Sequence, residues 1–142
     1  MIINAAGKNM SPANIEGALK GASMLVGQAF VVGDRRPYNV ALLVLDPDAS
    51  VAYATAHGLP DGSPAALCRD AGVQAAVAAA VELANDRLSR PEQVRRFTIL
   101  PVDWLPAGDE LTPTMKLKRR SIAHKYAAQI EALYAQQAAA MG

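Results

Sequence analysis

The sequence is poor in the residue types from which many catalytic centres are built. It has one cysteine, Cys68, and two histidines, His57 and His124. A single thiol excludes an internal disulfide, and a metal site would have to recruit its ligands from elsewhere. Cys68 lies in an apolar stretch and reads as a small buried hydrophobe, His57 as a structural helix-end residue, and no metal site or Cys–His pair is expected. The net charge is only +1, so bulk electrostatics points to neither a nucleic acid nor a membrane. Long apolar runs are also missing. Ile2-Ile3 is interrupted by Gly7, Lys8 and Asn9 too soon for a signal-peptide core, and the alanine-rich stretch Val73–Ala84 contains Glu82 and is too short to span a bilayer. A cytoplasmic location is the expectation.

What is present is an ordinary globular composition, 51% hydrophobic and 19% charged over 142 residues, which suits one domain with a modest core. Ile2-Ile3 reads as the end of a strand that begins abruptly after Met1, as though something upstream had been cut away. Ser11-Pro12 starts a helix whose Ile15, Ala18, Leu19 and Ala22 share a face, ending near Gly21. Met24–Val32 and Tyr38–Leu45 are strands joined by the polar turn from Gly33 to Pro37, hence an antiparallel hairpin. The run from Val40 to Leu45 is apolar at every position, as a strand covered on both faces requires.

Helices are predicted over Ala49–His57, around Leu67 and over Val73–Leu88, with Pro91 beyond the last. Arg96–Val102 is the third main strand. A loop over Asp103–Leu117, which Trp104 packs onto the core, precedes a final helix with an apolar stripe of Ile122, Tyr126, Ile130 and Leu133 or Tyr134, fraying from Gln136. The expected fold is α+β: a small mixed sheet of about three main strands flanked by helices, with a short N-terminal strand and a C-terminal helix, one domain over residues 1–142.

Two segments carry potential chemistry. The first runs from Ile2 to Glu16: a strand, a loop with Gly7, Lys8 and Asn9, and a capped helix. Small residues allow close approach and a helix N-terminus favours anions, but a plain strand–loop–helix connection has the same form. The second runs from Gly108 to Arg120 and delivers Lys116, Lys118, Arg119 and Arg120 just before a helix, where cations oppose the macrodipole. A solvated charge run, an anion site and a nucleic-acid patch are the three readings. The last lacks aromatic residues interleaved as stacking platforms. Asp109 and Glu110 are expected to pair with cations on the surface, where such pairs contribute little.

The first segment resembles the motif that opens the C-terminal domain of adenylate-forming enzymes. The second, from Glu110 to Arg120, resembles the closing lysine motif of that superfamily, and its Leu111-Thr112-Pro113-Thr114 form is typical of the long-chain fatty acyl-CoA ligase branch. Gly33–Asp46 and the segment from Ile130 to Tyr134 match the same branch, so the resemblance covers nearly the whole chain.

It implies a mobile C-terminal lid that is inactive alone, working with an N-terminal domain that binds ATP, Mg2+ and the fatty acid. Carboxylate and ATP give acyl-AMP; coenzyme A then displaces AMP while the lid presents a different face. By this resemblance Lys116 is the adenylation lysine. Gly7, Lys8 and Asn9 form the coenzyme A-facing loop, with Ala6 where relatives often carry a second glycine. Lys118, Arg119 and Arg120 are secondary, packing the helix start or meeting phosphates. Fatty acid, ATP and coenzyme A are the implied substrates, no nucleic acid is implied, and peripheral membrane association of the full-length enzyme stays open. The rival readings are an acyl-AMP ligase lid acting with a carrier protein and a freestanding coenzyme A- or acyl-binding regulatory module.

Overall fold

The computed structural model describes residues 2, 3 and 9–141, with side chains through residue 135. In chain order the elements are β1 (Ile2–Ile3), β2 (Asn9–Met10), α1 (Pro12–Ala22), β3 (Val26–Val32), β4 (Asn39–Leu45) and α2 (Pro47–Ala56). There follow α3 (Pro64–Leu67), α4 (Ala71–Asp86), a 3-10 turn at Arg90–Glu92, β5 (Val94–Ile99), α5 (Arg119–Lys125) and α6 (Ala127–Met141). The main sheet has the order β3-β4-β5, with β3 antiparallel and β5 parallel to β4, while β1 and β2 form a separate antiparallel pair. This is the small mixed sheet expected from the sequence.

The all-apolar run becomes the central strand, and all of β4 is buried. Ala41, Leu43 and Leu45 face a core built with Ala29 and Val31, with Ile15 and Leu19 of α1, and with Val73 and Val77 of α4. Val40, Leu42 and Val44 face a second core with Phe30, Trp104, Leu111, Ile122, Tyr126 and Ile130. Leu42 and Leu43 are both 0% exposed, on opposite faces. Fully burying each such side chain is worth about 1.5–3 kcal/mol, so period-2 alternation divides the strand's contribution between two layers.

Helix starts follow side-chain caps. Ser11 Oγ accepts from Asn14 N at 3.2 Å ahead of Pro12, Asp46 from Ala49 N at 2.9 Å, and Asp70 from Val73 N at 3.0 Å. The Asp70 cap starts α4 two residues before the expected Val73, and the helix ends at Asp86 rather than Leu88. Strand ends also move. Met24 is 87% exposed and lies outside β3. The third strand is Val94–Ile99 instead of Arg96–Val102, because it pairs with β4 from Asn39↔Val94 to Leu43↔Ile99 and Pro101 lacks the amide to extend a ladder.

Between Val26 and Gln28 the β3 register shifts. Gly27 sits at that bulge, where a Cβ would lie 2.8 Å from Asp46 Cα. The expected single last helix is two, α5 and α6, divided at Tyr126, and the alanine-rich end is helical to Met141. Among the described residues no helix is long and apolar enough to cross a membrane.

Candidate active site

The loop between β5 and α5 is irregular, yet its last part is a tight hairpin. Leu111 and Leu117 form an antiparallel bridge, and Lys118 N donates to Glu110 O at 2.8 Å. Across the tip, Thr112 N donates to Lys116 O at 2.8 Å and Met115 N to Thr112 O at 2.9 Å. Thr112 Oγ1 accepts from Lys116 N at 3.0 Å and lies 3.2 Å from Thr114 Oγ1. Met115 closes the turn in the left-handed region, at φ +68°. Such a conformation is costly for a residue with a Cβ and persists only where the surroundings hold it.

Lys116 therefore leaves a turn whose backbone is tied on both sides. Its side chain is exposed and makes no hydrogen bond or ion pair among the described residues. Most neighbouring cations are committed. Lys118 Nζ donates to Gly108 O at 2.9 Å, Lys125 Nζ to Glu110 Oε2 at 2.7 Å and Asp109 Oδ2 at 3.2 Å. Arg119 donates through both terminal nitrogens to Glu16, at 2.9 and 2.6 Å. Arg120 resembles Lys116 in lacking a side-chain partner among the described residues, but it stands in the first turn of α5.

Arg119 and Lys118 both make contacts at the start of α5. Glu16 is 5% exposed and also accepts from Val31 N at 2.8 Å, so its carboxylate joins α1, β3 and α5. The hydrogen bond to Glu16 raises the pKa of the Arg119 guanidinium, against desolvation. Contact of Arg119 with a phosphate would have to open this bidentate pair.

Glu110 departs from the sequence expectation. Asp109 is on the surface, but Glu110 is 6% exposed inside the second core. Its Oε2 accepts from Lys125 Nζ and from the Tyr126 hydroxyl, each at 2.7 Å, and Tyr126 in turn accepts from Trp104 Nε1 at 3.1 Å. A charge among apolar side chains needs such partners, and here they are supplied. The Tyr126 pKa is raised, first by burial and then by its bond to Glu110; the Lys125 pKa is raised, first by its bond to Glu110. Trp104, 3% exposed, packs the loop onto the core as expected. The signal for a buried acceptor was in the sequence: Trp and Tyr need partners for their N–H and O–H when buried.

At the other end, β1 and β2 pair in the register Ile2↔Met10 and Ile3↔Asn9, and Arg35 N donates to Ile3 O at 2.7 Å. Asn9 thus stands at the edge of the first motif, while Gly7 and Lys8 lie outside the described residues. The helix that follows, α1, meets the lysine hairpin. An open groove of about 200 Å3 between them is lined by Gly17, Lys20, Gln28, Met115 and Leu117, among others. The helix that ends the first motif thus touches the second through Glu16 and Arg119, 103 residues apart in sequence.

His57 and Cys68 take no part. His57 caps α2 and stacks on Tyr53 at 3.9 Å, and Cys68 is buried with Sγ directed to Ala65 O. No group of three His, Cys, Asp or Glu side chains suited to a metal occurs among the described residues.

Residues 1–138 match the family described as AMP-binding enzyme C-terminal domain. The chain is 58% identical over 135 residues to fadD11 of Mycobacterium tuberculosis, a fatty-acid–CoA ligase by name; the match covers 95% of this chain and 24% of that protein. It is 42% identical over 135 residues to the long-chain-fatty-acid–CoA ligase FadD15 of the same organism, covering 94% of this chain and 22% of the relative. The chain thus spans about a quarter of the length of these curated relatives. The adenylation domain of a carboxylate reductase from Mycobacterium chelonae superposes with a TM-score of 0.72 at 25% identity, over 94% of this chain and 19% of that one. By the match over residues 1–138, the chain belongs to the family of C-terminal domains of AMP-binding enzymes, and the relatives it matches are fatty-acid–CoA ligases by name.

Proposed function

We propose that this domain is the mobile lid of a long-chain fatty acid–CoA ligase and that Lys116 is its adenylation lysine. In the first half-reaction a fatty carboxylate oxygen attacks the α-phosphorus of ATP, pyrophosphate leaves, and acyl-AMP forms. In the second the thiol of coenzyme A attacks the acyl carbonyl and AMP departs. ATP, its Mg2+ and the fatty acid bind mainly to the N-terminal domain of the same enzyme, and residues 1–142 are the lid alone. The domain contributes a cation to the first step, and the loop with Gly7, Lys8 and Asn9 lines the coenzyme A passage in the second.

The observation that carries this reading is the contrast within the cation cluster. Lys118, Arg119 and Lys125 are engaged at 2.6–3.2 Å and Arg120 stands within the first turn of α5, whereas the ammonium of Lys116 is exposed and unpaired among the described residues, on the tip of a hairpin with a tied backbone. A preorganised cation placed where negative charge gathers in the transition state is what adenylation requires, and one such donor is worth about 3–4 kcal/mol. The test is thioester formation from a long-chain fatty acid, ATP and coenzyme A. The full-length enzyme is expected to form acyl-CoA and the chain of residues 1–142 none. Accumulation of acyl-AMP without thioester until a carrier protein is supplied would identify the carrier-protein ligase instead. Measurable affinity of the isolated chain for coenzyme A would support a freestanding module.

A further inference from the structure

We propose that Glu110 is a positioning residue for Lys116, holding the hairpin in the orientation that adenylation needs. The inference rests on the reading of Lys116 as the adenylation lysine. The bonds within the tip, among Thr112, Thr114, Met115 and Lys116, determine its shape but not its direction relative to the sheet. Direction is set at the base. There Leu111, 0% exposed, and Trp104 supply apolar packing, which resists separation but is non-directional.

Glu110 supplies the directed contacts. Among the described residues it is the only charged side chain buried on that face, and its backbone oxygen receives Lys118 N while its carboxylate receives Lys125 and Tyr126. Tyr126 is the residue at which α5 gives way to α6, so the hairpin base is keyed to a fixed break between two helices. Charge-assisted bonds at 2.7 Å are short and orientation-dependent. A buried charge satisfied in one arrangement only disfavours sliding of the loop over the apolar face.

The experiment compares Glu110→Gln, Tyr126→Phe and Lys116→Ala with the wild type in the full-length enzyme, measuring the two half-reactions separately. Glu110→Gln is nearly isosteric. Tyr126→Phe removes one of the two bonds without touching the charge. Each is expected to lower kcat for acyl-AMP formation by about ten- to hundredfold, as small misplacements of a catalytic group do. KM for ATP and thioester formation from supplied acyl-AMP should stay within about threefold, because in that step the lid presents its other face. Adenylation within about twofold of wild type in both variants, or an equal fall of both half-reactions, would overturn the role of Glu110. If Lys116→Ala itself spares adenylation, the reading of Lys116 fails and the positioning role falls with it. Loss with Lys116→Ala but not with Glu110→Gln or Tyr126→Phe removes the positioning role alone.

Discussion

Replacing Arg119 by alanine isolates an ion pair that joins α1 to α5. Glu16 is 5% exposed and holds three donors: Val31 N at 2.8 Å and the two Arg119 nitrogens at 2.9 and 2.6 Å. In Arg119→Ala the carboxylate keeps only the Val31 amide. Breaking a fully buried pair costs about 3–5 kcal/mol, since a charge is left behind without its partner. The Arg119 side chain is 41% exposed, so water can reach the vacated side and the loss should be nearer about 2–3 kcal/mol.

For a chain of this size that lowers Tm by about 8 °C. Urea unfolding should show a lower midpoint with an unchanged slope. The decisive comparison is the cycle with Glu16→Gln. Once the buried group is neutral, Arg119→Ala should cost less than about 1 kcal/mol, giving a coupling of about 1.5–2 kcal/mol. Equal losses in both backgrounds, or a loss under about 0.5 kcal/mol in the wild type, would refute the reasoning.

Two further predictions use other parts of the domain. Met115 holds the left-handed turn beside Lys116, so Met115→Asn or Met115→Gly should unfold within about 0.5 kcal/mol of wild type. Met115→Ile, β-branched at positive φ, should lose about 1–2 kcal/mol; equal stabilities for all three would contradict the strain at this turn. Glu92 is held below the ordinary carboxylate range, first by the Ser89 hydroxyl and then by the Ser89 amide. A depressed folded-state pKa stabilises above the unfolded value of about 4.3, and that stability disappears as pH falls through the folded value. Ser89→Ala should therefore be less stable than wild type near about pH 6, with the gap closing toward about pH 3. A gap independent of pH in denaturant titrations would exclude this origin.

Much of the architecture was legible because it rests on local pattern. The unbroken apolar run from Val40 to Leu45 called for cover on both faces, and β4 has it from two separate cores. Ser11-Pro12 announced a helix start that its hydrogen bond confirms. What stayed hidden depends on distant partners. Ile122, Tyr126 and Ile130 keep a spacing of four across the break between α5 and α6, so the apolar stripe runs on where the helix does not. Glu110 reads as a surface acid beside Asp109, and its burial comes with the Tyr126 hydroxyl it accepts, itself bonded by Trp104. Arg119 belonged to a run of cations, and only the fold brings Glu16 to it from 103 residues away. Lys116 is singled out by its motif, and the fold adds the contrast with Lys118 and Arg119, which are paired.

The role of Lys116 is tested most directly by measuring both half-reactions of Lys116→Ala in the full-length enzyme. Fatty-acid-dependent ATP–pyrophosphate exchange should fall by about a hundred- to thousandfold, while thioester formation from supplied acyl-AMP and coenzyme A continues within about threefold of wild type. Exchange at nearly the wild-type rate, or equal loss of both steps, would contradict it.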